Sequence, residues 1–497
     1  MTLLRRWPIT LVTAAAAAFV LALGWYGQDF PAQILRIERF RAGAVFWNAN
    51  WFGGHPTLGY STLLPALGAV LGVWGIAVAS TTASVAAFER LVRNHPRALL
   101  ATAAFAFGML ANLVVGRLAF ALGVAFGLAA LATLTRSKTA GGALAVACAL
   151  SSPVAAVFLG IAFAAWAYTA QRYRLGAALV TAAIAPAAFT SIVFGTGGTY
   201  PMPVTTVAWA LGLCALVALA CDDPTVRLGC ALYAVVGTGT FLVASPLGSN
   251  VGRLPMLFAA PLLLLADPAR TKRLLLAVPV VVMWHGFQIT EVAEAAATDL
   301  SLQSEYHAGL VDYLDDQPGH VRVEIPFTKH HWETTHVATT IPIARGWERQ
   351  IDRKLNPEFY DPLVPLDANR YRAWLLRNGV THVALPDTTF DVSSLKEAEL
   401  VEGGLDYLTP VWKDEHWDVF TVDGATGLLD GPGILVEATD TRVTVDATST
   451  GQFVVRVHAS PMWNLTQGDA VVGATPDGWL LLDVRTLGRV VLEAPLG

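Results

Sequence analysis

Long apolar runs recur through the first 292 residues of the chain and then stop. Nine of them, near 8–25, 62–80, 98–115, 118–135, 175–194, 205–221, 228–245, 254–267 and 274–292, approach the roughly 20 residues that a helix needs to cross hydrocarbon. A further apolar stretch over 140–170 is broken at Ser151–Pro153. Both of its flanks are basic, Arg136 and Lys138 before it and Arg172 and Arg174 after it. A single span would put those flanks on opposite sides of the membrane. Two short helices folded back at Pro153 keep them on one side, and the expected count becomes eleven spans.

Beyond Glu291 the period changes. The short β-type runs "VRVEIPF" (Val321–Phe327) and "THVALP" (Thr381–Pro386) flank the helical run "ANRYRAWLLRNGV", which predicts a small α/β unit. After it come short strands separated by Gly, Asp and Pro, beginning with "HWDVFTVDG". Phe453, Val455 and Val457 alternate with Val454, Arg456 and His458, as in a half-buried strand, and the set predicts a β-sandwich. The expected organisation is an α-helical multispanning membrane domain over 1–292, with its first outer loop at 25–62. An exoplasmic α/β domain over 293–400 and a β-sandwich-like domain over 401–497 follow.

Composition agrees. The chain is 54% hydrophobic and 14% charged, with a mean hydropathy of +0.50, which excludes an ordinary soluble protein. Residues 1–292 carry 18 Lys and Arg against 7 Asp and Glu, whereas the remainder carries 15 against 31. A basic membrane half is thus joined to an acidic soluble half, and no nucleic-acid partner is expected. Cys148, Cys214, Cys221 and Cys230 all lie in the membrane half without CxxC spacing, which excludes thiolate metal clusters. The first apolar segment, after Arg5 and Arg6, reads as a retained signal anchor.

With the N-terminus inside, inner loops hold Arg5, Arg6, Arg90, Arg93, Arg97, Arg136, Lys138, Arg172, Arg174, Arg227, Arg270, Lys272 and Arg273, thirteen in all. Outer loops hold five: Arg36, Arg39, Arg41, Arg117 and Arg253. This asymmetry sets the orientation, and it places the acidic half outside the cytoplasmic membrane. Arg117 and Arg253 then run against the rule, each in a tight loop between apolar spans. Such a charge snorkels, pairs with Asp29 or Glu38, or holds an anionic ligand. In the first outer loop Phe30, Ile34, Ile37 and Phe40 form an apolar helical stripe, with Arg36, Glu38, Arg39 and Arg41 mostly off it. That pattern predicts an amphipathic helix in the membrane interface. Asp29, just ahead of Pro31, is placed to cap that helix.

One stretch of the soluble half, Lys329–Asp352, is rich in His, Trp, Glu and Arg. His331 and His336 are five apart with Trp332 between, which does not fit HExxH, so no metal is expected there. Aromatic faces and planar donors suit either a sugar-contact surface or inter-domain packing.

The segments "GQDFPAQILRIERFRAG…WNANWFGGHPTLGYSTLLPAL", "GRLAFALGVAFGLAAL", "SSPVAAVFLG" and "GSNVGRLPMLFAAPLLL", with "EIPFTKHHWETTH…ARGWERQID" and a β-rich tail, resemble the multispanning GT-C glycosyltransferases of bacterial membranes. The resemblance implies a GT-C-like fold and an inverting transfer of sugar from a polyprenyl-phosphate donor to an extracytoplasmic glycan or lipid acceptor, at a site bordered by membrane lipids. It implies a catalytic carboxylate at Asp29 and phosphate-binding roles for Arg36, Arg39, Arg117 and Arg253. Sugar or acceptor contacts fall to Glu38, His55, His331, Trp332, Glu333, Arg345, Trp347 and Glu348. Elimination leaves Asp29 and Glu38, because Glu89, Asp222, Asp223 and Asp267 fall on inner loops and Glu291 ends the last span. Many members pair two acidic residues, whereas here Gln28 precedes Asp29. This departure favours a simple general base over a divalent-metal mechanism, and no cofactor is expected. Two other classes stay open: a transporter of a lipid-linked or small anionic substrate, and a non-catalytic cell-envelope assembly protein.

Overall fold

The computed structural model describes residues 7–195, 197–267 and 276–494. Arg5, Arg6, Arg270, Lys272, Arg273 and the start of the last expected span lie outside the described residues. The chain divides into two compact units, Met1–Gln33 with Leu58–Thr298, and Ile34–Thr57 with Asp299–Gly497.

The first unit is helical. Among the described residues, its apolar helices are Pro8–Ala22, Leu63–Val92, Ala98–Val115, Leu118–Thr133, Lys138–Ser151, Pro153–Thr169, Tyr173–Val193, Val204–Ala220, Pro224–Leu242, Arg253–Leu265 and Ala277–Thr298. Several have the length and apolar character to cross a membrane: Leu63–Val92, Ala98–Val115, Tyr173–Val193, Pro224–Leu242 and, with the turn ahead of it, Gly248–Leu265. Their ends follow local chemistry. Pro8, Pro153 and Pro224 open helices at positions where a missing N–H costs nothing. The Ser137 and Ser152 hydroxyls and the Asp223 carboxylate accept from free N–H groups of the first turns. Ser152 is extended, so the expected break at Ser151–Pro153 is one residue between two helices. The core joins Phe88, Phe105, Met109, Phe120, Phe158, Phe163 and Leu257. Val70, Ile192 and Leu242 are 83%, 82% and 73% exposed, an apolar exterior suited to lipid.

The second unit gathers fourteen strands among the described residues. β1 (Trp47–Asn48) and β2 (His55–Pro56) form a small antiparallel pair. β3 (Val323–Glu324), β4 (His382–Pro386), β5 (Leu408–Lys413) and β6 (Trp417–Val422) make a mixed sheet in the order β3-β4-β6-β5, with β3 parallel to β4. The Asp367 carboxylate caps the helix Ala368–Arg377, whose Tyr371, Trp374 and Leu375 share a core with Val383 and Val422. Two further sheets use β7 (Leu429–Asp430), β8 (Gly433–Ala438), β9 (Arg442–Ala447), β10 (Gly451–His458), β11 (Asn464–Gln467), β12 (Ala470–Ala474), β13 (Trp479–Val484) and β14 (Gly488–Glu493). Their orders are β12-β13-β10-β7 and β11-β14-β9-β8. Phe453, Val455 and Val457 meet Val443, Val445, Leu480, Leu482, Val490 and Leu492 in one core, and Trp47 and Ala49 join it.

Two boundaries differ from expectation. The run "HWDVFTVDG" supplies β6, whose register with β4 (Leu385↔Asp418) ties it to the mixed sheet, so the sheet continues past residue 401 to 422. Residues 34–57 fold with the C-terminal half because Trp47 and Ala49 bury their apolar surface among its strands. The helix expected in the first loop is present as Phe30–Arg41. Only part of its charged face is open, since Arg36 is 5% exposed while Glu38 and Arg41 are exposed and pair with each other at 2.7 Å.

Candidate active site

The turn after Pro8–Ala22 is fastened within the helical unit by backbone hydrogen bonds. Gly27 N–H donates to the Val114 carbonyl (2.7 Å) and Asp29 N–H to that of Val115 (3.0 Å). Tyr26 stacks on Trp74, with ring centroids 4.5 Å apart, and its hydroxyl donates to the Leu21 carbonyl. Gly116 closes the helix Ala98–Val115 in a left-handed conformation (φ +94°), and a Cβ there would lie 2.4 Å from Phe30 N. Only glycine satisfies both demands.

This junction brings Arg117 Nε to 3.7 Å from Asp29 Oδ2, each side chain about one-quarter exposed. The separation is that of an ion pair rather than a hydrogen bond, and among the described residues Arg117 Nε has no acceptor. Pairing with Asp29, one of the three readings open to this counter-rule arginine, is thus present in the geometry.

Arg253 is set by a tight 3-10 turn, Gly248–Gly252. The turn is pinned by Ser249 Oγ donating to the Pro201 carbonyl (2.6 Å) and Tyr233 OH to that of Val251 (3.1 Å). The Arg253 guanidinium lies over the Phe120 ring, 5.3 Å from its centroid. Arg117 and Arg253 line a single cavity of about 190 Å³, together with Asn112, Tyr200, Asn250 and His285. Two guanidiniums, two amides and a phenol around a small space suit an anion with several oxygens. His285 is absent from the sequence-predicted set. It is 7% exposed, and its Nε2 lies 3.1 Å from the Met256 carbonyl. The signal that could have found it is an ionisable side chain inside an apolar run.

The remaining sequence candidates belong to the second unit. Arg36 pairs with Glu348 and lies 5.5 Å from the centroid of the Trp51 ring. Burial pushes the Glu348 carboxyl up, and Arg36 opposes that shift. Arg39 pairs with Asp440 (3.2 Å) and donates to the Ala338 and Thr339 carbonyls. Both guanidiniums thus already hold carboxylates. His55 is buried, with Nδ1 3.0 Å from the Pro56 carbonyl and its ring stacked on Trp51. Burial, with Arg36 nearby, pushes this imidazole down to about 3 despite the Pro56 carbonyl.

His331 is fully buried, stacked on Trp347 at 3.4 Å, and 3.6 Å from both Glu333 Oε1 and Asp391 Oδ2. Arg349 clamps Asp391 with two bonds of 2.8 Å. Burial raises the Asp391 carboxyl, but the hydrogen bonds and charges of His331 and Arg349 outweigh it and hold the group well below the usual range. Arg345 is 1% exposed among Asp352 (2.9 Å), Glu397 (3.0 Å) and Glu324 (3.6 Å), with Phe327 and Phe359 against its guanidinium. Of the two readings of this stretch, burial favours packing over sugar contact for His331, Trp332, Glu333 and Arg345. Trp347 and Glu348 are only partly buried. Among the described residues, no group of three or more His, Cys, Asp or Glu side chains is arranged to hold a metal ion.

No protein-family model and no curated protein matches the sequence. The chain does match solved structures. Two of these are crystal structures of ArnT from Cupriavidus metallidurans, one in the apo state and one bound to undecaprenyl phosphate. Their TM-scores are 0.49 and 0.48, at 12% and 11% identity. The matches cover 83% and 84% of this chain and 97% and 98% of those chains. The similarity is one of architecture, and no residue's role is taken from it.

Proposed function

We propose that the chain is an integral membrane glycosyltransferase that moves a sugar from a polyprenyl-phosphate donor to an extracytoplasmic acceptor. The observation that carries this reading is the position of Arg117. It holds the Asp29 carboxylate on one side and shares with Arg253 a cavity of about 190 Å³ on the other. A proton acceptor thus stands beside two groups able to receive a leaving phosphate. Asp29 takes the proton of the acceptor hydroxyl as that oxygen attacks the anomeric carbon. The bond from that carbon to the phosphate oxygen breaks, and the phosphate leaves with the electron pair, stabilised by the two guanidiniums. Attack opposite the leaving group inverts the anomeric centre.

Bonding between loops is consistent with eleven crossings, and the orientation rests on the basic residues of the expected inner loops. The 27–29 turn bonds to 114–115, Thr62 to Leu150, and Tyr200 to Ser245, all expected on the outer side. Arg97 donates to the Leu264 and Ala266 carbonyls and Thr169 bonds to Thr225, all expected on the inner side.

The test is the full chain reconstituted with a panel of polyprenyl-phosphate sugars. Asp29→Asn should abolish transfer while leaving the thermal melt unchanged. Transfer that survives the substitution reduces Asp29 to a structural partner of Arg117. A cysteine replacing Lys138 should resist an impermeant thiol reagent in intact cells, and labelling there would reverse the orientation.

A further inference from the structure

A second, larger cavity of about 660 Å³ lies among the helices of the first unit, and it is built asymmetrically. Most of its wall is apolar, including Phe158, Ile161, Val217 and Phe258. Of its basic side chains, Lys138 opens the helix Lys138–Ser151 and Arg172 lies in the link from Pro153–Thr169 to Tyr173–Val193. Thr225 joins them, and its hydroxyl bonds to that of Thr169 at 2.9 Å, so these segments share one end of the unit. An apolar chamber with cations at one end matches an amphiphile with one anionic head.

The two cations are uncommitted. Among the described residues neither Lys138 nor Arg172 has a carboxylate partner, and the nearest acidic positions along the chain are engaged elsewhere. Glu89 accepts from the Thr10 hydroxyl and N–H. Asp222 pairs with Arg227 (3.0 Å), and Asp223 accepts from Thr225 N–H (2.7 Å). Nor can one phosphate serve both this end and the candidate active site. Arg117 immediately precedes the helix Leu118–Thr133 and Lys138 lies beyond its far end. Sixteen helical residues span about 24 Å. The volume falls within the range of sites that enclose small ligands.

We propose that this cavity binds an anionic glycerophospholipid, with an acyl chain in the apolar chamber and the phosphate between Lys138 and Arg172. On the inner side of the membrane such a basic pocket between helices selects anionic headgroups. The lipid enters from the leaflet opposite to Arg117 and Arg253. The site does not depend on the transferase reading.

The experiment is native mass spectrometry of the full chain in detergent, offered equal amounts of phosphatidylglycerol and phosphatidylcholine. The wild type should retain phosphatidylglycerol over phosphatidylcholine by about fivefold or more, the contribution of a basic residue or two. K138Q/R172Q, both at exposed positions, should bring the two lipids near parity while binding persists. Gly229 lines the chamber, and a Cβ there meets nothing closer than Ala165 Cβ at 3.9 Å, so Gly229→Leu projects into open space and should lower retention of both lipids. Glycerol 3-phosphate, which has the head without the chain, should not compete. Parity in the wild type, unchanged selectivity in K138Q/R172Q, or unchanged retention in Gly229→Leu overturns the proposal. So does displacement of phosphatidylglycerol by a polyprenyl phosphate that is lost in Arg253→Ala, because the chamber would then serve the ligand held by Arg253.

Discussion

Asp29 and Arg117 stand 3.7 Å apart because Gly116, the residue before the arginine, has no side chain. Its left-handed backbone turns the chain at the end of Ala98–Val115, and the space where a Cβ would sit is filled by the backbone of Asp29 and Phe30. The carboxylate and the guanidinium are therefore positioned by main-chain contacts, which are stiffer than the side chains they carry.

Gly116→Ala should disturb this pair without touching either member. The left-handed conformation costs a non-glycine residue roughly 1–2 kcal/mol, and the clash with Phe30 N adds to it. We expect a lower thermal midpoint and weaker binding of a polyprenyl phosphate than in the wild type. Unchanged binding would show that the junction does not set the site.

Arg253 should contribute through both its charge and its shape. Arg253→Lys keeps the charge but loses the planar fork, and should weaken polyprenyl-phosphate binding measurably. Arg253→Ala should cost roughly 2–4 kcal/mol, the scale of a desolvated charged contact. Titration of the three forms distinguishes these outcomes, and equal affinities would remove Arg253 from the site.

The legible parts of this fold are those governed by local periodicity. Apolar runs mark the helices, Ser151–Pro153 marks a break, and the stripe of Phe30, Ile34, Ile37 and Phe40 marks the helix Phe30–Arg41. Asp29, Arg117 and Arg253 stand out because charge at the edge of hydrocarbon is costly. What stays hidden depends on partners far along the chain. Nothing around Trp47 announces that it packs with Val443 and Leu480, and an alternating strand such as Trp417–Val422 does not name the sheet it joins. Polar composition misleads in Lys329–Asp352, where His331 and Glu333 are buried beside each other and Arg345 is buried against Asp352 and Glu397.

That core yields a contrast between two substitutions. Burial, with Glu397 beside it, raises the Glu324 carboxyl well above its usual range, which favours its protonated form. Glu324→Gln mimics the shape of the protonated carboxyl and should change stability by less than about 1 kcal/mol. Arg345→Met leaves Asp352 and Glu397 buried without their cation and should cost about 3–5 kcal/mol. Denaturant unfolding of the two variants compares them directly. Equal losses would mean that Glu324 is ionised in the fold.

The buried histidines should make the second unit sensitive to acid. His55 and His307 are 4% and 1% exposed, and burial pushes each imidazole down to about 3 from an ordinary 6.5. For His55 the charge of Arg36 adds to burial, and for His307 that of His336 does. Between those two values the unfolded chain takes up a proton that the fold refuses, so stability falls as pH drops below about 6.5 and is flat above it. At pH 5 the loss is about 2 kcal/mol for each histidine, because every pH unit below 6.5 costs about 1.4 kcal/mol. Glu324 and Glu397 act in the opposite sense, since the fold holds their protons more tightly than the unfolded chain does. The diagnostic quantity is therefore the difference between proteins. His55→Phe retains a ring against Trp51, and His307→Gln retains a donor for the Ser301 carbonyl, which lies 2.9 Å from Nε2. Thermal midpoints of the detergent-purified chain at pH 7.5 and pH 5 should separate less in the double variant than in the wild type. Equal separations would mean that both imidazoles titrate as freely in the fold as in the unfolded chain.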